Sequence, residues 1–229
     1  MRVLFLHHLP LEQADVAIHL ERWMEALEAA GHEPRLLTVD HQRHAGASQS
    51  IDRIICNPTD PAADLPLVLP DFTSSAGGSS RRAFPELTDE ELALYRECLR
   101  RRLDRQIDEF DPHMIHAQHI WLWGQLALET GVPYVLSAWG AELVDYSVDA
   151  RFRPLVEQAA DNAGRILAHD PATFGQVSEL FGAADRALLM PLVPVGADAE
   201  NPASRQAFFS ESLAAVYATV YEERFGRRP

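Results

Sequence analysis

The sequence predicts an α/β fold: a doubly wound, mostly parallel Rossmann-like sheet in three αβα layers, closed by a C-terminal return helix. Short apolar runs recur with the length and composition of strands buried on both faces. Between them lie segments whose apolar residues step by three and four, the spacing of amphipathic helices. This alternation runs through nearly the whole chain, and strands alternating with helices imply a parallel sheet covered on both sides.

Arg2–Leu6 is the first strand. Glu12–Ala30 carries Val16, Leu20, Trp23, Met24 and Leu27 on one face and forms a helix that Gly31 ends in a left-handed conformation. Arg35–Val39 and Ile51–Cys56 supply the next strands, Leu65–Leu69 a further short one, and the Ser/Gly-rich Asp71–Arg82 a loop. Thr88 and Glu91 have capping-box spacing and open a helix with the stripe Leu92, Leu99, Leu103, Ile107 and Phe110, which stops before Pro112. From Asp111 to Val144 the chain reads strand, polar loop, helix, strand, polar loop, with strands at Met114–Ala117 and Tyr134–Ser137. A helix near Phe152–Ala163, strand Arg165–Ala168, helix Pro171–Phe181 and strand Ala187–Met190 follow. An extended, Pro-rich stretch leads into the last helix, Arg205–Phe225, with Phe209, Leu213, Val216, Tyr217 and Val220 on one face. The expected division is a Rossmann-like domain over 1–200, with 201–229 as linker end and a helix packing back on that domain.

With 47% apolar residues the chain can bury a substantial core, and no apolar run is long enough to span a membrane. The first strand is too short and too soon interrupted by His7 and His8 to be a signal peptide, so a cytoplasmic location is expected. The formal charge is −14, and all 20 basic residues are arginine. Without lysine there is no Walker-type phosphate lysine and no Schiff base. Such an acidic chain is not expected to bind nucleic acid, and Arg100–Arg105 reads as a solvated helix face. Cys56 and Cys98 lack the spacing of a zinc or redox pair and read as reduced thiols. No GxGxxG follows the first strand, which argues against a dinucleotide oxidoreductase.

Parallel sheets bind ligands at the carboxyl ends of their strands, so the candidate site residues are those that end or follow strands. These are His7 and His8, then Gln118, His119 and Trp121, then Ser137, Trp139, Gly140 and Glu142. His119 is the candidate catalytic residue, placed to position or polarise a hydroxyl. His116 has the alternative of a hydrogen-bonded core histidine, and Trp121 and Trp123 that of core packing. A metal held by His7, His8 and a carboxylate is not expected, because adjacent side chains on an extended segment point to opposite sides. No cofactor site is expected either.

The stretches HLERWMEALEAAGHEP, DPHMIHAQHIWLWGQLALETGVPYVLSAWGAEL, RILAHDPATF and FGAADRALLMPLVPVGAD resemble, in that order, the N-terminal domain of family-four retaining glycosyltransferases of the GT-B fold. The resemblance implies that this domain holds a hydroxyl-bearing acceptor, while a second Rossmann-like domain holds most of the nucleotide-sugar donor. It implies an acceptor-side loop at Trp139, Gly140 and Glu142, where Trp139 offers a stacking face and Glu142 accepts hydrogen bonds from sugar hydroxyls. Relatives carry His-x-His where this chain reads His116-Ala117-Gln118-His119, and a glycine-rich loop where it has His7 and His8. Loss of those glycines removes close backbone approach to a phosphate. After the element matching Gly196-Ala197-Asp198, relatives enter the donor domain, whereas here the return helix follows directly. Either that domain has been cut out near Asp198–Ser204, or the chain works with a donor-binding partner or as a homodimer. The implied reaction transfers sugar with retention and needs no side-chain nucleophile, so this lobe contributes positioning, and the isolated chain is expected to be inactive or weakly active. The alternative is a non-catalytic binding module, or a homodimeric assembly module, derived from such an enzyme.

Overall fold

The computed structural model describes residues 1–11, 15–44, 49–72, 82–183, 185–190 and 202–226, with the side chains of 15–18 and 202–210 outside the description. Its elements in chain order are β1 (Arg2–Leu6), α1 (Asp15–Ala29), β2 (Glu33–Asp40), β3 (Ile51–Ile55), α2 (Asp89–Phe110), β4 (Met114–Ala117), α3 (Trp123–Thr130), β5 (Tyr134–Ala138), α4 (Ala141–Val148), α5 (Arg153–Asn162), β6 (Arg165–Ala168), α6 (Pro171–Phe181), β7 (Ala187–Leu189) and α7 (Pro202–Phe225). The strands form one seven-stranded sheet in the order β3-β2-β1-β4-β5-β6-β7, with every pairing parallel. The doubly wound parallel sheet read from the sequence is therefore what forms.

Alternation along the strands sorts the core into two layers. Val3, Phe5, Leu36, Met114, Val135 and Leu167 face one way and pack with Leu20, Trp23 and Leu27 of α1 and Leu213, Tyr217 and Val220 of α7. Leu4, Leu6, Leu37, Ile115, Leu136 and Ile166 face the other way and pack with Leu99 and Leu103 of α2, Leu126 of α3 and Val156 of α5. The expected terminal-helix face is confirmed at Leu213, Tyr217 and Val220, whereas Phe209 falls among the side chains outside the description. Close approach of that helix demands a glycine: a Cβ on Gly164, just before β6, would lie 2.3 Å from Val220 Cγ1.

The capping box forms as read. Thr88 Oγ1 accepts from Glu91 N at 3.2 Å, and Glu91 Oε2 accepts from Thr88 N at 2.8 Å. Asp111 then closes α2 in the left-handed conformation, φ 47°, immediately before Pro112. In the arginine run of α2, Arg100 pairs with Glu97 and Asp104, and Arg102 chelates Asp52 with two 2.8 Å bonds.

Two readings are corrected. Leu65–Leu69 is not a strand: Leu65 makes an isolated parallel bridge with Cys56, and Pro66 has no N–H to extend the ladder. The stretch after β5 is not all loop, because Ala141–Val148 forms α4. The loop expected at Asp71–Arg82 and the linker with Gly196, Ala197 and Asp198 lie largely outside the described residues.

Candidate functional site

In this strand order the chain steps from β1 to β2 and β3 on one side and to β4 through β7 on the other. The pair β1/β4 is therefore the topological switch point, where the connections leave in opposite directions and open α/β sheets hold ligands at the carboxyl ends of their strands. The register pairs Leu6 with Ala117, and Gln118 N donates to Leu6 O at 2.9 Å. Carried past the ladder, this register sets His7 and His8 beside Gln118 and His119.

The three histidines do converge. The His8 and His119 ring centroids are 4.7 Å apart, and the His7 ring lies 6.0 Å from His119, nearly parallel to it. The expectation that His7 and His8 diverge is overturned. Strand β1 ends at Leu6, and although His7 N still donates to Leu37 O of β2 at 2.9 Å, His8 lies beyond the pleat, so strand alternation no longer separates the two rings. Phe72 packs on His8 at 4.6 Å and on His119 at 4.7 Å, and Phe84 adds a further ring beside His8. All three histidines and Gln118 are at most 3% exposed.

Among the described residues, neither ring nitrogen of His7 or His119 and neither amide atom of Gln118 has a hydrogen-bond partner. A buried polar group left unpaired costs about 1–3 kcal/mol, and this concentration of them marks His7, His119 and Gln118 as the candidate site. Burial, with a smaller contribution from His119, holds the His7 imidazole well below its ordinary pKa and keeps it neutral. The loop that carries His119 ends at Leu122, a non-glycine at φ 49° and ψ −55°, pinned by the burial of Ile120, Trp121 and Leu122. Backbone strain of this kind persists where packing over-determines it, and it clusters at sites that need a fixed geometry.

Gly140, at φ 89°, turns the chain sharply from β5 into α4. Glu142 thereby sits in the first turn of α4, buried, with Oε1 accepting from Trp139 N at 3.1 Å and Oε2 at 3.4 Å from His119 Nδ1. Glu142 thus ties the β5 loop to the β4 loop. Trp139 is half-buried, stacked 4.2 Å from His169 and 6.3 Å from Trp23, on the α1 side of the sheet.

Below the crevice runs a buried polar chain. Tyr217 Oη lies 2.7 Å from His116 Nδ1, His116 Nε2 2.8 Å from Ser137 Oγ, Ser137 Oγ 3.1 Å from His169 Nε2, and His169 Nδ1 2.9 Å from Met190 O. Met190 O can only accept, which places a proton on His169 Nδ1. His169 Nε2 must then accept from Ser137, Ser137 from His116 Nε2, and His116 Nδ1 from Tyr217. One assignment of neutral tautomers satisfies every member. Burial lowers the pKa of both imidazoles, His169 to about 4 and His116 well below its ordinary range.

Of the residues predicted from sequence, the structure brings His7, His8, His119 and Glu142 together, with Gln118 next in the chain at the end of β4 and Gly140 and Trp139 on the adjoining rim. Ser137 is fully buried in the polar chain. Trp121 lies in the core, 4.1 Å from Phe152, separated from the histidines by Phe84. Sequence reasoning missed His169, although it follows β6 just as His7 follows β1. It also missed the ring wall of Phe72 and Phe84, whose place depends on the long connection after β3.

The profile of the glycosyl transferase 4-like domain matches residues 16–192. No curated protein sequence matches the chain. Among solved structures, it is similar to the sucrose-phosphate synthase of Thermosynechococcus elongatus, with TM-score 0.54 and 14% identity over 85% of this chain and 49% of that one. The lipopolysaccharide outer core galactosyltransferase WaaB gives TM-score 0.51 and 10% identity over 87% of this chain and 50% of its own. A UDP-GlcNAc 2-epimerase from Methanocaldococcus jannaschii gives TM-score 0.51 and 7% identity over 83% and 45%. The chain thus spans about half the length of each of these structures. At such identities the likeness is one of fold.

Proposed function

The chain belongs to the glycosyl transferase 4-like domain family, and on that premise we propose that the β1/β4 crevice seats the hydroxyl-bearing acceptor of a retaining sugar transfer from a nucleotide-sugar. The observation that carries this reading is the convergence of His7 and His119 at the switch point, with Gln118 beside them at the end of β4 and the side-chain polar atoms of all three unpaired among the described residues. His119 is the catalytic residue in this reading. Glu142 orients its imidazole, and its free nitrogen positions the attacking hydroxyl. Gln118 offers a donor and an acceptor to a second hydroxyl, Trp139 a stacking rim, and the rings of Phe72 and Phe84 a dry wall.

A second, donor-binding lobe holds most of the nucleotide-sugar in this proposal. Residues 1–200 form the acceptor lobe, with α7 as its returning clasp. The test is saturation-transfer NMR with a panel of monosaccharides, sugar phosphates and UDP-sugars. The expected result is saturable binding of a sugar or sugar phosphate, weakened about 10-fold or more in His119→Ala while circular dichroism is unchanged. Binding of UDP-sugars alone, indifferent to His119→Ala, would reverse the assignment.

A further inference from the structure

We propose that His7, His8 and His119 form a binding site for a divalent transition-metal cation of the zinc class. One ligand nitrogen from each histidine lies within 4.8 Å of the other two, and all three residues are buried. Tetrahedral zinc with bonds of about 2.0–2.1 Å needs ligand nitrogens roughly 3.3 Å apart, so modest ring rotation closes the set around an ion. An all-imidazole donor set suits zinc, cobalt, nickel or copper and suits magnesium or calcium poorly.

The surroundings match such a site. Nδ1 of His119 faces Glu142 Oε2 at 3.4 Å, and the other oxygen of that carboxylate is fixed by Trp139 N. The contact is longer than a hydrogen bond, and a small ring movement that shortens it would give the carboxylate–histidine arrangement that fixes the tautomer of a ligating imidazole, with Nε2 of His119 left for the ion. Phe72 supplies the apolar shell, packed on both His8 and His119. The ligands come from two adjacent loops, so an ion would staple the β1 loop to the β4 loop across the switch point. Three protein ligands leave a fourth position for water or another oxygen. An ion takes the His119 nitrogen that otherwise positions the acceptor hydroxyl, so the ion-bound chain would offer that hydroxyl the fourth coordination position instead; the ion itself is read on the chain with no donor or acceptor present.

The test uses untagged, chelator-treated protein titrated with cobalt(II), followed by zinc. The expected result is one equivalent of cobalt per chain, with the intense visible absorption of a tetrahedral centre, bleached stoichiometrically by zinc. His7→Gln and His119→Gln should each weaken binding by more than about 100-fold, and Glu142→Gln by about 10–100-fold. Zinc should raise the Tm of the parent protein in a concentration-dependent way and leave that of His7→Gln unmoved, a comparison that holds even where a variant is less stable. His44→Gln serves as control, because Asp40, His41 and His44 form a separate cluster. Absence of a stoichiometric cobalt spectrum, its persistence in His119→Gln, or its loss in His44→Gln would each overturn the proposal.

Discussion

Replacing Ser137 with alanine removes one hydroxyl from the middle of the polar chain that ties α7 to the sheet. That hydroxyl accepts from His116 Nε2 at 2.8 Å and donates to His169 Nε2 at 3.1 Å. The substitution therefore leaves two imidazole nitrogens unpaired at positions 0% and 8% exposed. A buried polar group without a partner costs about 1–3 kcal/mol, so the expected loss is about 2–5 kcal/mol. Set against a total stability of about 5–15 kcal/mol, this weakens the fold without abolishing it. Equilibrium urea unfolding is the assay. With an m-value of about 2–3 kcal/mol/M, the midpoint should fall by about 1–2 M. Tyr217→Phe, which removes only the end of the chain, should cost less. The double variant should depart from additivity by at least about 0.5 kcal/mol, because the two sites share His116. A Ser137→Ala midpoint within about 0.2 M of the parent, at unchanged m, would refute the single-tautomer network.

Burial lowers the pKa of His169 from 6.5 to about 4, opposed by the Met190 carbonyl, Glu142 and Asp170 and aided by His19. The unfolded state then binds the proton first, so the stability held above pH 6.5 drains away as pH falls toward 4, by up to about 3 kcal/mol. Urea midpoints between pH 7.5 and 5 should show this slope, and His169→Gln should make it shallower by the share of one histidine, the buried His7 and His116 supplying the rest. In Gly164→Ala the new methyl meets Val220 Cγ1 at 2.3 Å. The overpacking should cost about 1–3 kcal/mol and be largely recovered in Gly164→Ala/Val220→Ala, again read by urea unfolding. Thr88→Ala breaks the reciprocal cap of α2 and should cost about 1 kcal/mol in the same assay, with m unchanged.

The seven strands were legible because buried parallel strands leave compact apolar runs, and long helices because periodicity accumulates over several turns. Helix α4 escaped: it has eight residues, and its cap is Gly140 rather than a Ser, Thr or Asp that would announce a start. The location of the candidate site was legible from strand ends alone, which put His7, Gln118, His119 and Glu142 on the right edge of the sheet. Their orientation was not. Whether His7 and His8 diverge depends on where β1 stops pairing, and that one-residue boundary decides between a pleat and a loop. Ser137 lies in the buried polar chain for a related reason. It is one residue short of the end of β5, so the strand still governs its direction and turns it inward.

The hydrogen bond from Tyr217 to His116 joins residues 101 apart in the chain, and it cannot form until the terminal helix has docked on β4. An interaction that waits for so much prior order is expected to form in the late steps of assembly, after the rate-limiting barrier. Its loss should therefore register in the lifetime of the native protein: Tyr217→Phe would hasten escape while leaving the time to refold almost unchanged. The returning helix acts as a latch that governs persistence, not speed of arrival.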